Sequence, residues 1–439
     1  MASRASDAGI GWLSIVRLGL VQAAIGAMVM VATSMLNRVM VVEYGVVAAI
    51  PAGLVAWHYA VQLTRPIWGH RSDRSARRTP WIMMGLGIQA LGTVIAVDAT
   101  ILIPQWYGPA LVLAIVGFTL IGIGVGMAGT ALLALIASRV SVARKPAAAA
   151  LTWTMMIAGI VVAAGVSGKY LDPFAADRLA IVASMVVLCA FSIALLALRG
   201  LEARSLSVSA PRGEGDDASF GQVLAEIRAD PRAWRFTWFV FISMVAYSIQ
   251  DLVLEPFAGL VFDMTPGQST QLAGLQHGGI LMGMLIAGAG GTLHARRYGR
   301  NPTLWIVLGC TGSAVMLAGL ALGALTGGAW PLTANIFCLG VANGVFAVAA
   351  VGAMLSMASD GRTAGEGARM GVWGAAQAIA FGTGGLLGAL LLDLMRTMGA
   401  DNAAFATVFA VEGVMFIAAA LVAVGIRLRG ASTPKGAFT

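Results

Sequence analysis

Residues 69–80 read GHRSDRSARRTP, and residues 291–302 read GTLHARRYGRNP. Each opens on glycine, is rich in arginine, closes on proline and joins two long apolar runs. Two equally long basic connections at matching places indicate an internal repeat. Trp153 and Gly168 recur at the separation of Trp373 and Gly388, and Gly122 and Gly126 recur as Gly340 and Gly344. Repeats of this kind, related by an axis along the membrane normal, mark a two-half transporter architecture.

The composition agrees. Of 439 residues, 59% are apolar and only 11% charged, and the mean hydropathy is +0.85. Soluble domains carry about 25% charged residues, so neither a water-soluble globule nor a disordered chain fits. Apolar runs fall at roughly 14–42, 46–68, 80–103, 109–137, 147–168, 178–199, 236–258, 272–293, 303–325, 331–357, 369–392 and 404–427. A crossing takes about 20 apolar residues. The sequence therefore predicts an all-α membrane protein with twelve transmembrane helices in two pseudo-symmetric six-helix halves, 1–199 and 236–439.

Charge placement predicts orientation. The net charge is +8, but the basic residues sit in short connections, as topology demands, and not in a nucleic-acid patch. With both termini cytoplasmic, 23 of the 28 Lys and Arg lie inside, leaving Arg38, Arg65, Lys169, Arg178 and Arg396. The lipid bilayer is the expected surroundings, and nucleic acid is not an expected partner. The polar stretch 200–235 is expected to be a cytoplasmic linker. Within it, SFGQVLAEIRADPR predicts a short interfacial helix with Ser219 and Gln222 as a capping box and Phe220, Val223, Leu224 and Ile227 on one face.

The first basic connection, GHRSDRSARR at 69–78, resembles the loop signature of the major facilitator superfamily, G-x-x-x-D-R-x-G-R-R, with Ala76 in place of the usual glycine. The resemblance implies a conformational latch made by Gly69, Asp73, Arg74, Arg77 and Arg78. Asp73 is expected to cap the start of the eleventh helix or to pair with Arg139, and the arginines to hold the loop at the anionic leaflet.

Ionisable groups inside a membrane are costly and are functional candidates by default. The first run ends NRVMVVEYG, with Asn37, Arg38 and Glu43; the seventh ends QDLVLEPFAG, with Gln250, Asp251 and Glu255. Asn37 aligns with Gln250 and Arg38 with Asp251, so opposite charges occupy equivalent places. Three readings follow: Arg38 pairing with Asp251 or Glu255 as a gate, a proton or ligand site at the two carboxylates, or a static ion pair. Pro256 is expected to bend or end its helix. His58 and His277 lie at similar depths in the second and eighth runs, where an imidazole packs or ligates. The GxGxxG formed by Gly124, Gly126 and Gly129 lacks a preceding strand and reads as helix packing. Cys189, Cys310 and Cys338 lie apart inside apolar runs and read as packing residues. Most tryptophans, Trp373 among them, read as interface anchors. No metal-ligand spacing and no catalytic constellation is visible, so the chain is not expected to be an enzyme.

NRVMVVEYGV (37–46), GHRSDRSARRTPWI (69–82), QDLVLEPFAGLVF (250–262) and GVWGAAQAIAFGTGGLLG (371–388) resemble the PucC/LhaA family, the bacteriochlorophyll delivery branch of the major facilitator superfamily. The similarity runs from about residue 14 to about 427, with Phe257 and Ala258 where tyrosine and glycine are usual. It implies a role in building light-harvesting complexes, with bacteriochlorophyll as bound cargo, antenna polypeptides or bacteriochlorophyll synthase as partners, and a bacterial inner, photosynthetic intracytoplasmic membrane as location. One subgroup carries the label of a bacteriochlorophyll synthase accessory subunit. A magnesium-bearing pigment needs an axial ligand, for which His58 is the first choice and His277 the second. The alternative is a proton-coupled transporter of a small molecule working through Asp251 or Glu255.

Overall fold

The computed structural model describes residues 10–73, 75, 77–140, 145–202, 220–298, 302–327, 330–359 and 366–426. Every regular element among them is helical. In chain order these are α1 (Trp12–Glu43), α2 (Ala49–Val61, one tighter turn at Gln62–Thr64, then Arg65–Asp73), α3 (Thr79–Leu102), α4 (Tyr107–Arg139), α5 (Lys145–Tyr170), α6 (Ala176–Leu198), α7 (Phe220–Ala229), α8 (Pro231–Phe262), α9 (Pro266–Tyr298), α10 (Pro302–Thr326), α11 (Leu332–Ser359), α12 (Glu366–Met398) and α13 (Asp401–Val424). Eleven are long and apolar enough to cross a membrane. The twelfth expected crossing, α2, is the one assembled from shorter pieces.

The sequence explains where the helices begin. Proline is the first residue of α8, α9 and α10, where its missing N–H deprives the helix of nothing and its fixed φ is already helical. Apolar side chains such as Leu188, Ile181 and Val414 stay exposed along the helices, which suits a lipid surround. Small residues let neighbours approach. A Cβ on Gly124 would lie 2.5 Å from the Gln89 backbone nitrogen, so α3 and α4 pack backbone to backbone there. Of the apparent dinucleotide fingerprint, Gly124 is thus a helix-packing residue, whereas a Cβ on Gly129 would meet nothing within 4 Å.

The chain divides into two compact units. One comprises Met1–Pro211, Asp251–His277 and Gly385–Leu394; the other comprises Arg212–Gln250, Gly278–Gly384 and Met395–Thr439. The same device recurs in each. Within the first, Arg17 near the start of α1 donates to the Ala197 carbonyl at the end of α6, at 2.9 Å. Within the second, Arg235 near the start of α8 donates to the Gly425 carbonyl just past α13, at 3.0 Å. Each arginine satisfies carbonyls that a helix C-terminus leaves without partners.

Two local features differ from a plain helical reading. α1 widens twice, at Val31–Met35 and Val39–Glu43, where Leu36 and Tyr44 N–H groups reach back five residues to Val31 and Val39. α8 runs on through Pro256 to Phe262. Trp373 is a correction: it is fully buried and donates to Thr237 Oγ1 at 3.0 Å, so it is a core residue of the second unit and not an interface anchor.

Candidate functional site

The first unit holds a polar seam formed by α1 with the Asp251–His277 segment of α8 and α9. Its centre is Arg38, which is 2% exposed. The widened turn at Val39–Glu43 brings a residue five positions on beside Arg38. Accordingly Arg38 forms its ion pair with Glu43 on its own helix. It also donates through Nε to Ser269 Oγ at 3.1 Å and through Nη2 to the Met264 carbonyl at 2.7 Å. Its partner is therefore Glu43, not Asp251 or Glu255. Glu255 is 3% exposed and accepts from Ser34 Oγ, with Thr270 beside its carboxylate.

Asn37 and Pro256 form a matched pair. Proline at 256 has no N–H, so the Leu252 carbonyl loses its helical donor. The Asn37 side-chain Nδ2 supplies one at 2.8 Å. A buried carbonyl that the proline orphans is thereby satisfied from α1, and α8 continues unbroken. Asp251 is half-buried one turn before Glu255, and His277 and Tyr59 are its charged or ionisable neighbours.

Gln250 belongs elsewhere. It lies in the second unit, where its Oε1 accepts from Asn343 Nδ2 at 3.1 Å and Asn343 Oδ1 accepts from Ser313 Oγ at 2.8 Å. That neutral ladder joins α8, α11 and α10. Glu412 of α13 is fully buried in the same unit, with no partner for either oxygen among the described residues.

The two histidines differ in what their nitrogens are doing. His58 is 1% exposed. Gln62 Oε1 accepts from Arg65, which turns the amide nitrogen toward His58 Nε2 at 2.8 Å. The His58 Nε2 lone pair is thus taken, and its Nδ1 is buried without a partner among the described residues. In His277, Nδ1 lies 2.9 Å from the Ala273 carbonyl. A carbonyl only accepts, so Nδ1 carries a proton, and in the neutral ring the lone pair is on Nε2.

Of the latch loop, Arg74 and the side chains of Gly69 and Asp73 lie outside the described residues, as do the second basic connection at 299–301, the capping Ser219 and residues 203–219 of the linker. Arg77 is exposed. Arg78 donates to the Ala134 carbonyl at 2.6 Å and Ser138 Oγ at 2.5 Å, tying the loop to the end of α4.

Sequence reasoning missed three carboxylates that cap helices from a distance. Glu202 accepts from the backbone N–H groups of Arg78 and Thr79 at the start of α3, both at 3.0 Å. Asp393 of α12 accepts from Ala48 and Ala49 N–H at the start of α2, at 3.1 and 2.7 Å. Asp172, between α5 and α6, accepts from Thr265 Oγ1 at 2.5 Å and Gly267 N–H at 2.9 Å at the start of α9. The only sequence signal was a lone carboxylate at the end of an apolar run.

Comparison with known proteins adds the following. The family described as PUCC protein matches residues 35–431. The chain is 47% identical over 425 residues to the bacteriochlorophyll synthase 44.5 kDa chain of Rhodobacter capsulatus, covering 96% of this chain and 97% of that one. It is 28% identical over 437 residues to protein PucC of Rhodobacter capsulatus, covering 95% and 92%. Among solved structures it resembles the nucleoside transporter NupG, with TM-score 0.68 and 11% identity over 94% of this chain and 100% of that one. It also resembles an autoinhibited POT family peptide transporter, with TM-score 0.68 and 13% identity over 96% and 98%. At these identities the structural likeness concerns the fold alone, which is the all-α, two-half architecture of the major facilitator superfamily.

Proposed function

We propose, because the chain belongs to the PUCC protein family, that it is a non-enzymatic membrane factor for light-harvesting complex assembly that binds bacteriochlorophyll and delivers it to antenna polypeptides. The relative named as a chain of bacteriochlorophyll synthase supports a place beside pigment synthesis. In this reading the multi-pass protein sits in the bacterial inner, photosynthetic intracytoplasmic membrane with both termini cytoplasmic. Two six-helix halves, 1–199 and 236–439, flank the linker 200–235, and Gly69, Asp73, Arg74, Arg77 and Arg78 serve as the latch.

The observation that carries the proposal is the state of His277. Its Nδ1–H is committed to the Ala273 carbonyl, so that in the neutral ring Nε2 is the nitrogen with the lone pair. That is how proteins fix an imidazole for a metal such as the pigment's magnesium. His58 is the weaker choice, because Gln62 already occupies the equivalent nitrogen. The apolar helix faces would accommodate the isoprenoid tail.

A second reading rests on Asp251 and Glu255, one helical turn apart, with Glu255 buried. Such a pair suits a proton-coupled transporter of a small molecule. A third makes the chain an accessory subunit of bacteriochlorophyll synthase. The chain is purified in mild detergent from a host that makes bacteriochlorophyll, and its near-infrared spectrum is compared with a mock purification. Stoichiometric pigment is expected. A colourless protein holding synthase polypeptides would favour the accessory subunit. A colourless protein alone, with vesicle uptake that collapses when the proton gradient is removed, would favour the transporter.

A further inference from the structure

The segments Asp251–His277 and Gly385–Leu394 belong to the first unit although they come from α8, α9 and α12. Two carboxylates fasten them there. Asp393 of α12 holds the first turn of α2 through Ala48 and Ala49. Asp172, just past α5, holds the first turn of α9 through Thr265 and Gly267. In the internal repeat, α5 corresponds to α12 and α2 to α9, so the two fasteners are the same device used reciprocally. Each sits where a helix start presents N–H groups without internal partners and a positive dipole end.

The surroundings support both. A Cβ on Gly267 would lie 2.3 Å from the Gly168 carbonyl and 2.4 Å from Asp172 Oδ2, so this contact exists only because both residues are glycine. Tyr44 of the α1–α2 connection stacks edge-on with Phe174 of the α5–α6 connection at 6.2 Å. Arg38 reaches the Met264 carbonyl at the same end. The fasteners therefore flank the end of the unit where the seam lies.

We propose that Asp172 and Asp393 are a matched pair of releasable helix caps that hold this end shut over the Arg38–Glu255 seam and let go together when it opens. Backbone N–H groups at a helix start can donate to water in place of a carboxylate, so the caps can separate without stranding a buried charge. The device does not depend on which cargo the protein takes.

The test uses the full chain in nanodiscs, with Cys189, Cys310 and Cys338 replaced by alanine and a reporter, Ala258→Cys, at a fully buried position of α8. A charged thiosulfonate labels the reporter when this end opens. Asp172→Asn and Asp393→Asn are each expected to raise the labelling rate by about fivefold, the loss expected of a removed cap. The double variant should exceed either. Asp98→Asn, at an exposed carboxylate of α3, should change nothing. Rates equal to the parent in both single variants and the double, or an equal rise in Asp98→Asn, would overturn the proposal. A second measurement needs no substitution: hydrogen exchange at the Ala48, Ala49 and Gly267 amides of the parent. Matched opening rates are expected, and clearly different ones would refute concerted release.

Discussion

Polar clusters lie at membrane depth in both units, and they are built from different chemistry. In the first, Arg38 is ion-paired to Glu43, Glu255 is held by Ser34, and Asn37 serves the Leu252 carbonyl. In the second, Gln250, Asn343 and Ser313 form a neutral ladder of amides and a hydroxyl. Asn37 and Gln250 occupy equivalent places in the repeat, yet one serves the carbonyl that a proline orphans inside a continuous helix and the other closes a network. The backbone repeats but its chemistry does not. A buried charge is costly without a partner, and in the first unit Arg38 finds one in Glu43 on its own helix.

The comparison breaks most readily at Arg38. Arg38→Met leaves Glu43 and Glu255 without a cation in the seam. The expected cost is about 3–5 kcal/mol, from the ion pair to the partly exposed Glu43 together with two hydrogen bonds of the buried guanidinium. A thermal midpoint in mild detergent, or failure to accumulate, reads this. A midpoint within a degree or two of the parent would mean the seam is hydrated and not a buried ion cluster.

A sharper test lies one residue away. Asn37→Leu strands the Leu252 carbonyl and should cost about 1–3 kcal/mol. Pro256→Ala restores the helical N–H to that carbonyl. The Asn37→Leu penalty should therefore shrink in a Pro256→Ala background. Strict additivity in this double-mutant cycle would show that Asn37 serves some other group.

The smallest effect is expected in the second unit. In Asn343→Leu the Ser313 hydroxyl keeps the Gly309 carbonyl as acceptor, so the neutral bond to Gln250 is the one lost, at about 1 kcal/mol, and no charge is left behind. A loss as large as that of Arg38→Met would erase the distinction between the two clusters.

Much of this was legible in the sequence. The apolar runs gave the all-α membrane architecture and eleven of the crossings; α2 departs from it because its helix tightens at Gln62–Thr64. Buried charges in lipid are rare, so Asn37, Arg38, Glu43, Asp251 and Glu255 stood out. The Arg38–Glu43 pair was hidden by geometry. Residues five apart do not meet on a helix of 3.6 residues per turn, and they meet here only because α1 widens at Val39–Glu43. Pro256 was visible, but its repair by Asn37 was not, since that repair crosses between helices. Asp172, Asp393 and Glu202 were missed for a different reason. Their partners are mainly backbone N–H groups, which nearly every residue carries, so no side-chain pattern announces them. The ranking of His58 over His277 likewise rested on depth alone, whereas the nitrogens' hydrogen bonds favour His277.

The central claim is that this membrane protein holds bacteriochlorophyll through His277. The most direct measurement is pigment occupancy, read as near-infrared absorbance per protein, for the parent, His277→Ala and His58→Ala purified in parallel from a pigment-making host. The account predicts near-stoichiometric pigment in the parent, a large loss in His277→Ala and near-parent occupancy in His58→Ala. Full occupancy in His277→Ala, or a parent that emerges colourless, would contradict it.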